Sequence, residues 1–274
     1  MKFGKFARAF APVAAIALAT ALSACDGTNI KINGEEGQKL SELDLSGAPP
    51  KELVLLGPDE IRVTTGEKLA ITLEGPQTVQ DELRFTLKDG TLGVLRKDRM
   101  FSEDGGTAVI NVTLPAPEEV SMAGSGRITL AEMARKARVN IGGSGTIEAS
   151  AIDADELEVT VAGSGDFRGA GQARKLKINV VGSGNAALDA LKTDSADVTV
   201  AGSGNAAMMS DGEVKASIVG SGEVRVKGRA RCEVSSMGSG RLVCENGVTT
   251  KASGDAPEAP EAPEAPEAPE PPAT

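Results

Sequence analysis

Between Glu119 and Glu245 the chain alternates apolar and polar positions, and the alternation restarts every 18 to 20 residues around a Gly-Ser-Gly triplet. The first glycine of that triplet falls at Gly124, Gly143, Gly163, Gly182, Gly202, Gly220 and Gly238. Four residues before it stand Val120, Val139, Val159, Ile178, Val198, Ala216 and Val234; two before it stand Met122, Ile141, Val161, Val180, Val200, Ile218 and Ser236. A polar column, Ser121, Asn140, Thr160, Asn179, Thr199, Ser217 and Ser235, separates the two. Period two with β-branched residues on one face is a strand with that face buried. The arm after the triplet repeats the pattern, with Ile128, Ile147, Phe167, Ala186, Ala206, Val224 and Leu242 four beyond the glycine. A helix would need apolar residues three and four apart, and these do not recur.

A period this short predicts an all-β solenoid with coils of about 19 residues, because one such unit cannot bury its own apolar face and must stack on its neighbours. Each coil reads as strand, Gly-Ser-Gly corner, strand and a variable return. Glycine at the corner supplies positive φ without a Cβ clash, and a small serine between the glycines suits a hydroxyl ladder from coil to coil. A phosphate cradle would instead need a GxxxxGK[ST] loop opening a helix, and neither lysine nor helix follows. Five before the glycine lie Glu119, Arg138, Glu158, Lys177, Asp197, Lys215 and Glu233, alternating in sign. In-register stacking would set opposite charges together, at roughly 0.2–1 kcal/mol per pair, and a slip by one coil would set like on like. Chance scatter on a solvated face is the alternative.

Around this core the chain divides into five parts. Residues 1–24 carry Lys2, Lys5 and Arg8, then an apolar stretch too short to span a bilayer, which together make an export signal. The run Leu22-Ser23-Ala24-Cys25 resembles a bacterial lipobox at every position, which implies Cys25 as the lipid-attachment site and first residue of the mature chain. Several acyl chains on one residue would hold it stably in a membrane. Asp26 resembles the inner-membrane retention signal of enterobacterial lipoproteins. Residues 25–50 read as a tether, residues 51–118 as an irregular start of the solenoid with a hairpin at Asp89-Gly90, residues 119–250 as its regular body, and residues 251–274 as an extended Ala-Pro-Glu tail. Cys232 and Cys244 flank the last corner in inward columns. In an exported protein such a pair is expected to form a disulfide; facing arms about 10 Å apart would be too far for one, and two buried thiols are the alternative.

Composition narrows the chemistry. The chain has no His, Trp or Tyr, and removing the leader takes its formal charge from −10 to −13. Without a basic face or aromatic platforms, nucleic acid is not an expected partner. Without histidine, Ser-His-Asp and Cys-His catalysis are excluded, and no metal site or cofactor is expected. Polysaccharide lyases gather acidic calcium ligands on one face of a β-helix, but the column three past each glycine (Arg127, Thr146, Asp166, Asn185, Asn205, Glu223, Arg241) places no two acids on adjacent coils.

The run Leu114-Pro115, then Val120-Ser121-Met122-Ala123-Gly124-Ser125-Gly126, with the later Gly-Ser-Gly coils, resembles the "putative auto-transporter adhesin, head GIN domain" family, a domain of unknown function, over roughly Leu45 to Glu245. The resemblance implies a right-handed, single-stranded parallel β-helix and transfers no catalytic residue. The expectation is therefore a non-enzymatic cell-envelope lipoprotein. Cys25 would tether it to the periplasmic face of the inner membrane or to the outer membrane, and its polar ladders would meet an envelope protein or polysaccharide. The alternatives are a polysaccharide-acting enzyme and a self-assembling periplasmic scaffold.

Overall fold

Residues 31–97 and 106–251 are described in a computed structural model; the leader, Cys25 and the Ala-Pro-Glu tail lie outside them. The base of the molecule is built from β1 (Glu52–Leu56), β2 (Glu60–Thr65), β3 (Ala70–Glu74), the one-turn helix α1 (Gln77–Gln80), β4 (Leu83–Lys88), β5 (Thr91–Arg96) and β6 (Val109–Leu114). The regular body follows as β7 (Glu119–Gly124), β8 (Arg127–Leu130), β9 (Lys136–Gly143), β10 (Thr146–Gly163), β11 (Asp166–Gly182), β12 (Asn185–Gly202), β13 (Asn205–Gly220), β14 (Glu223–Lys227), β15 (Arg231–Gly238), β16 (Arg241–Cys244) and β17 (Val248–Lys251).

The body is a parallel β-solenoid in which equivalent residues of successive coils lie side by side: Val139 beside Val159, Val159 beside Ile178, and each corner glycine beside the next. The inward columns are almost wholly excluded from water, with Val120, Val139, Val159, Ile178 and Phe167 all at 0% exposure. Burying a side chain of this size is worth about 1.5–3 kcal/mol, so stacking apolar residue on apolar residue stabilises each coil on the one below it. The return segment is itself a short third wall. Ile152 to Ala154 pair with Gly171 to Ala173 after a register shift at Ala149/Ile152. Further shifts at Arg168/Ala170, Leu188/Lys192 and Thr193/Ser195 absorb the changes in coil length, which leaves the two main walls unbroken.

The two corner glycines have different reasons to be glycine. The first is left-handed in all seven coils, from φ +106 at Gly143 to +128 at Gly124. A Cβ on Gly163 would also sit 2.5 Å from the Gly143 carbonyl oxygen. The second has no such torsion. A Cβ on Gly145 would meet the Gly126 carbonyl at 2.5 Å and the Met122 methyl at 2.6 Å, and one on Gly184 the Gly165 carbonyl and Val161 Cγ1, both at 2.5 Å. Torsion and close approach fix the first glycine, and close approach alone fixes the second. The closeness makes hydrogen bonds: the Gly124 carbonyl accepts from the N–H groups of Ser144 (2.9 Å) and Gly145 (3.0 Å), and the Gly182 carbonyl from Ser203 (2.9 Å) and Gly204 (3.0 Å). The serine column forms a hydroxyl bond at the last step, where Ser239 Oγ lies 3.1 Å from Ser221 Oγ.

The base stacks out of chain order. β1 and β2 form a coil lying directly under β7 and β8. Its corner, Gly57-Pro58-Asp59, imitates the triplet: Gly57 has φ +133, and its carbonyl accepts the Gly126 N–H at 3.0 Å. Beneath that coil come β5 and β6, parallel to β1 and β2. Two antiparallel strands, β4 against β5 and β3 against β6, close the bottom edge. Asp89 and Gly90 both adopt positive φ, at 52° and 78°, as a two-residue hairpin between β4 and β5 requires. Asp59 reaches inward and is buried at 1% exposure, accepting from Arg96 Nε (2.8 Å), Arg96 Nη2 (2.6 Å) and the Ala108 N–H (2.8 Å). This buried pair ties β5 and β6 to the imitation corner.

The far end is finished differently. β17 pairs with only the first four residues of β15, and Ser236 occupies the inward slot that holds Met, Val or Ile in the coils below. Cys232 and Cys244 are joined by a disulfide across this coil, with Cα atoms 6.6 Å apart.

Candidate functional surface

Outward residues, which alternate with the buried ones, form columns along the molecule, and two of these columns are linked from coil to coil by polar contacts. In the alternating charge column, Arg138 bridges Glu119 at 2.9 Å below and Glu158 at 3.5 Å above, and Lys177 bonds Glu158 at 2.8 Å. Asp197, Lys215 and Glu233 continue in register. Lys215 bonds Glu213 of its own strand at 3.2 Å instead of its vertical neighbours. Burial pushes the Glu158 carboxyl upward, but hydrogen bonds from Lys177 and Arg138 and the charges of both outweigh it and hold the group below its ordinary value. The hydrogen bond to Glu119 raises Arg138.

The column three past each glycine is a second ladder. Asn185 Nδ2 donates to Asp166 Oδ1 at 2.8 Å, Asn205 Nδ2 to Asn185 Oδ1 at 3.0 Å, and the Glu223 N–H to Asn205 Oδ1 at 3.2 Å. Arg241 then pairs with Glu223. Side-chain amides spent on one another in this way hold the outer surface rigid. On the third wall Arg135 grips Asp155 at 2.9 Å and Asp153 at 3.0 Å, and Arg174 approaches Asp155 at 3.4 Å. These partners come from the return segments, whose lengths and apolar spacing vary from coil to coil.

In the polar column Ser121, Asn140 and Thr160 are buried at 4–7% exposure, whereas Thr199, Ser217 and Ser235 are exposed. Asn140 Nδ2 donates to Glu119 Oε1 (2.9 Å) and lies 3.1 Å from Ser121 Oγ. The face thus changes character along the rod, from closed near the base to open over the last coils. Sequence reading overlooked the column directly before the first glycine, where Ala123, Ala162, Val181, Ala201, Val219 and Met237 stand. Its signal was present in the alignment, as an outward column without a single charge.

Among the described residues no group of three acidic or cysteine side chains could hold a metal ion, and no helix is long and apolar enough to cross a membrane. The surface depressions, such as the one lined by Arg135, Asp153, Arg174, Lys192 and Asp194, are open and mixed in charge.

A family profile described as "Putative auto-transporter adhesin, head GIN domain" matches residues 49–230. No curated protein matches. Among solved structures, a putative adhesin from Bacteroides fragilis superposes with a TM-score of 0.58 at 18% identity, covering 74% of this chain and 91% of that one. A putative lipid binding protein from Parabacteroides distasonis gives 0.57 at 21% identity, covering 73% and 93%. A putative adhesin from the same organism gives 0.51 at 18% identity, covering 75% and 94%. At these identities the likeness is one of fold.

Proposed function

This chain belongs to the family described as "Putative auto-transporter adhesin, head GIN domain", and from that premise we propose that it is a non-enzymatic scaffold of the cell envelope, held to a membrane by lipid on Cys25. In this reading the solenoid is a rigid wall that displays ordered polar columns to an envelope protein or polysaccharide. The observation that carries it is the self-satisfied ladder: Asp166, Asn185, Asn205 and Glu223 are fixed by one another at hydrogen-bond distance. A surface ordered in advance loses little entropy on binding, which suits recognition of an extended, repetitive partner better than chemistry in a cleft. The family and the fold support an envelope- or surface-associated protein; the anchor rests on the lipobox alone.

Two measurements test it. Labelling with a palmitate analogue should tag the chain and not the Cys25→Ala variant; equal labelling of the two would refute the anchor. Protease shaving of intact cells should cleave the protein if it meets partners at the cell surface, and full protection until the outer membrane is breached would rule that out.

A further inference from the structure

Three large apolar side chains left in water stand in one column: Val181 (37% exposed), Val219 (39%) and Met237 (72%). Ala201 completes it, lying in register between Val181 and Val219. At the base the same column is covered, because Leu56 and Leu95 pack with Ile32, and Ala123 rests against them. Beside the exposed stretch run Asn179, Thr199, Ser217 and Ser235, all uncharged, and beyond these Lys177, Asp197, Lys215 and Glu233. Those four charges sum to zero in a chain whose formal charge is −10. The last four coils therefore present a flat, locally neutral face with an apolar stripe.

We propose that this face pairs with the same face of a second copy, the two solenoids running antiparallel about a two-fold axis that lies along the strands. Such an axis sets each column against itself and reverses the order of the coils. Val181 then meets Met237 of the second copy, and Ala201 meets Val219. Lys177 opposes Glu233 and Asp197 opposes Lys215, so every contact in the charge column is between opposite signs. A slip by one coil in either direction sets like charges together. A parallel arrangement sends the charges against the serine corners and pairs none of them. Lys175 and Arg231 come out alike at the outer edge, where water and salt screen them.

Coils repeat at about 4.8 Å and strand residues at about 3.3 Å, so the face covers roughly 20 Å by 20 Å, or about 400 Å² on each copy. Stable complexes bury about 1,200–2,000 Å² in total, so the pairing is weak and reversible, with a dissociation constant on the order of 10⁻⁴ M. The pairing does not depend on the lipid anchor proposed above.

Sedimentation equilibrium of the exported chain carrying Cys25→Ala tests the pairing without the anchor. The chain should associate to dimers in the hundred-micromolar range. Asp197→Lys alone and Lys215→Asp alone should each sediment as monomers, because each sets like charges across the axis. An equimolar mixture of the two should recover the parental association, since the swapped charges then complement one another between copies. A mixture that stays monomeric while both variants keep the parental circular dichroism overturns the proposal. Met237→Asp changes the most exposed side chain of the stripe, so it decides the matter if the charge variants fail to fold. It should lose the association, and unaltered dimers would overturn the pairing.

Discussion

Gly142 and Gly143 are neighbours in one strand, and replacing each by alanine should have opposite consequences. Gly143 sits at φ +106, and a Cβ there would lie 2.6 Å from the Gly124 carbonyl oxygen and 3.1 Å from the Gly124 nitrogen. Holding an L-residue in such a torsion costs about 1–3 kcal/mol. The clash is with backbone, so it can be relieved only by lifting the coil. The Gly124 carbonyl already accepts two N–H bonds, from Ser144 at 2.9 Å and Gly145 at 3.0 Å. Weakening them costs about 0.5–1.5 kcal/mol each, which brings the loss to about 2–6 kcal/mol. Gly142, by contrast, has only the Met122 carbonyl at 3.7 Å, an ordinary contact, and its torsion is open to any residue. Its column holds alanine at Ala123, Ala162 and Ala201, and an alanine there should be neutral or stabilise by about 0.5 kcal/mol through the unfolded chain. Urea unfolding followed by circular dichroism gives both values. Gly143→Ala unfolding within about 0.5 kcal/mol of Gly142→Ala would show that the corners do not stack as closely as described.

Breaking the buried pair at the base by Asp59→Ala leaves the Arg96 guanidinium, at 0% exposure, without its carboxylate, and should cost about 3–5 kcal/mol. Replacing both partners by apolar residues should cost markedly less, and equal losses in the urea midpoint would contradict the account. Losing the Cys232–Cys244 bond, which closes a loop of sequence separation 12, should cost about 3 kcal/mol by chain entropy. Hydrogen exchange should place that loss in β15 to β17 and leave β9 to β11 protected. The depressed Glu158 carboxyl contributes stability that is present above the ordinary carboxylate range near pH 4.5 and is lost as pH falls through its lower folded value. Lys177→Met should flatten that acid limb while leaving the slope above pH 6 unchanged; an unaltered acid limb would remove Lys177 as the cause.

The regular body was legible because each coil states its rules locally. Val120, Val139 and Val159 face inward by alternation alone, and the corner is marked by a residue type that little else can replace. The return segments were not legible as a third wall because their inward slots are mixed. Thr193 and Ser210 are buried there, and their hydroxyls donate to the carbonyls of Ser195 (2.9 Å) and Thr193 (3.0 Å). Polar residues satisfied by backbone do not read as core. The base defied local reading for another reason. β5 looks like a continuation of the chain after β4, yet its place beneath β1 depends on a pairing between residues some 39 positions apart, Glu52 with Thr91, which no short-range pattern encodes. The Asp59–Arg96 pair follows from that placement and was equally hidden. Of the outer surface, the alternation from Glu119 to Glu233 was visible as sign order, and the structure adds which neighbours touch and that Lys215 turns to Glu213.

The stacking order at the base fixes when the molecule can begin to form. Synthesis delivers β1 and β2 before either of the coils that flank them, so the earliest turn waits with both of its edges bare until β5 to β8 have been made. Once Leu130 has emerged, the floor and first storey can lock together, and every later turn finds a finished template directly beneath it. Each later coil then has a neighbour to add to, up to the disulfide-closed coil at the far end.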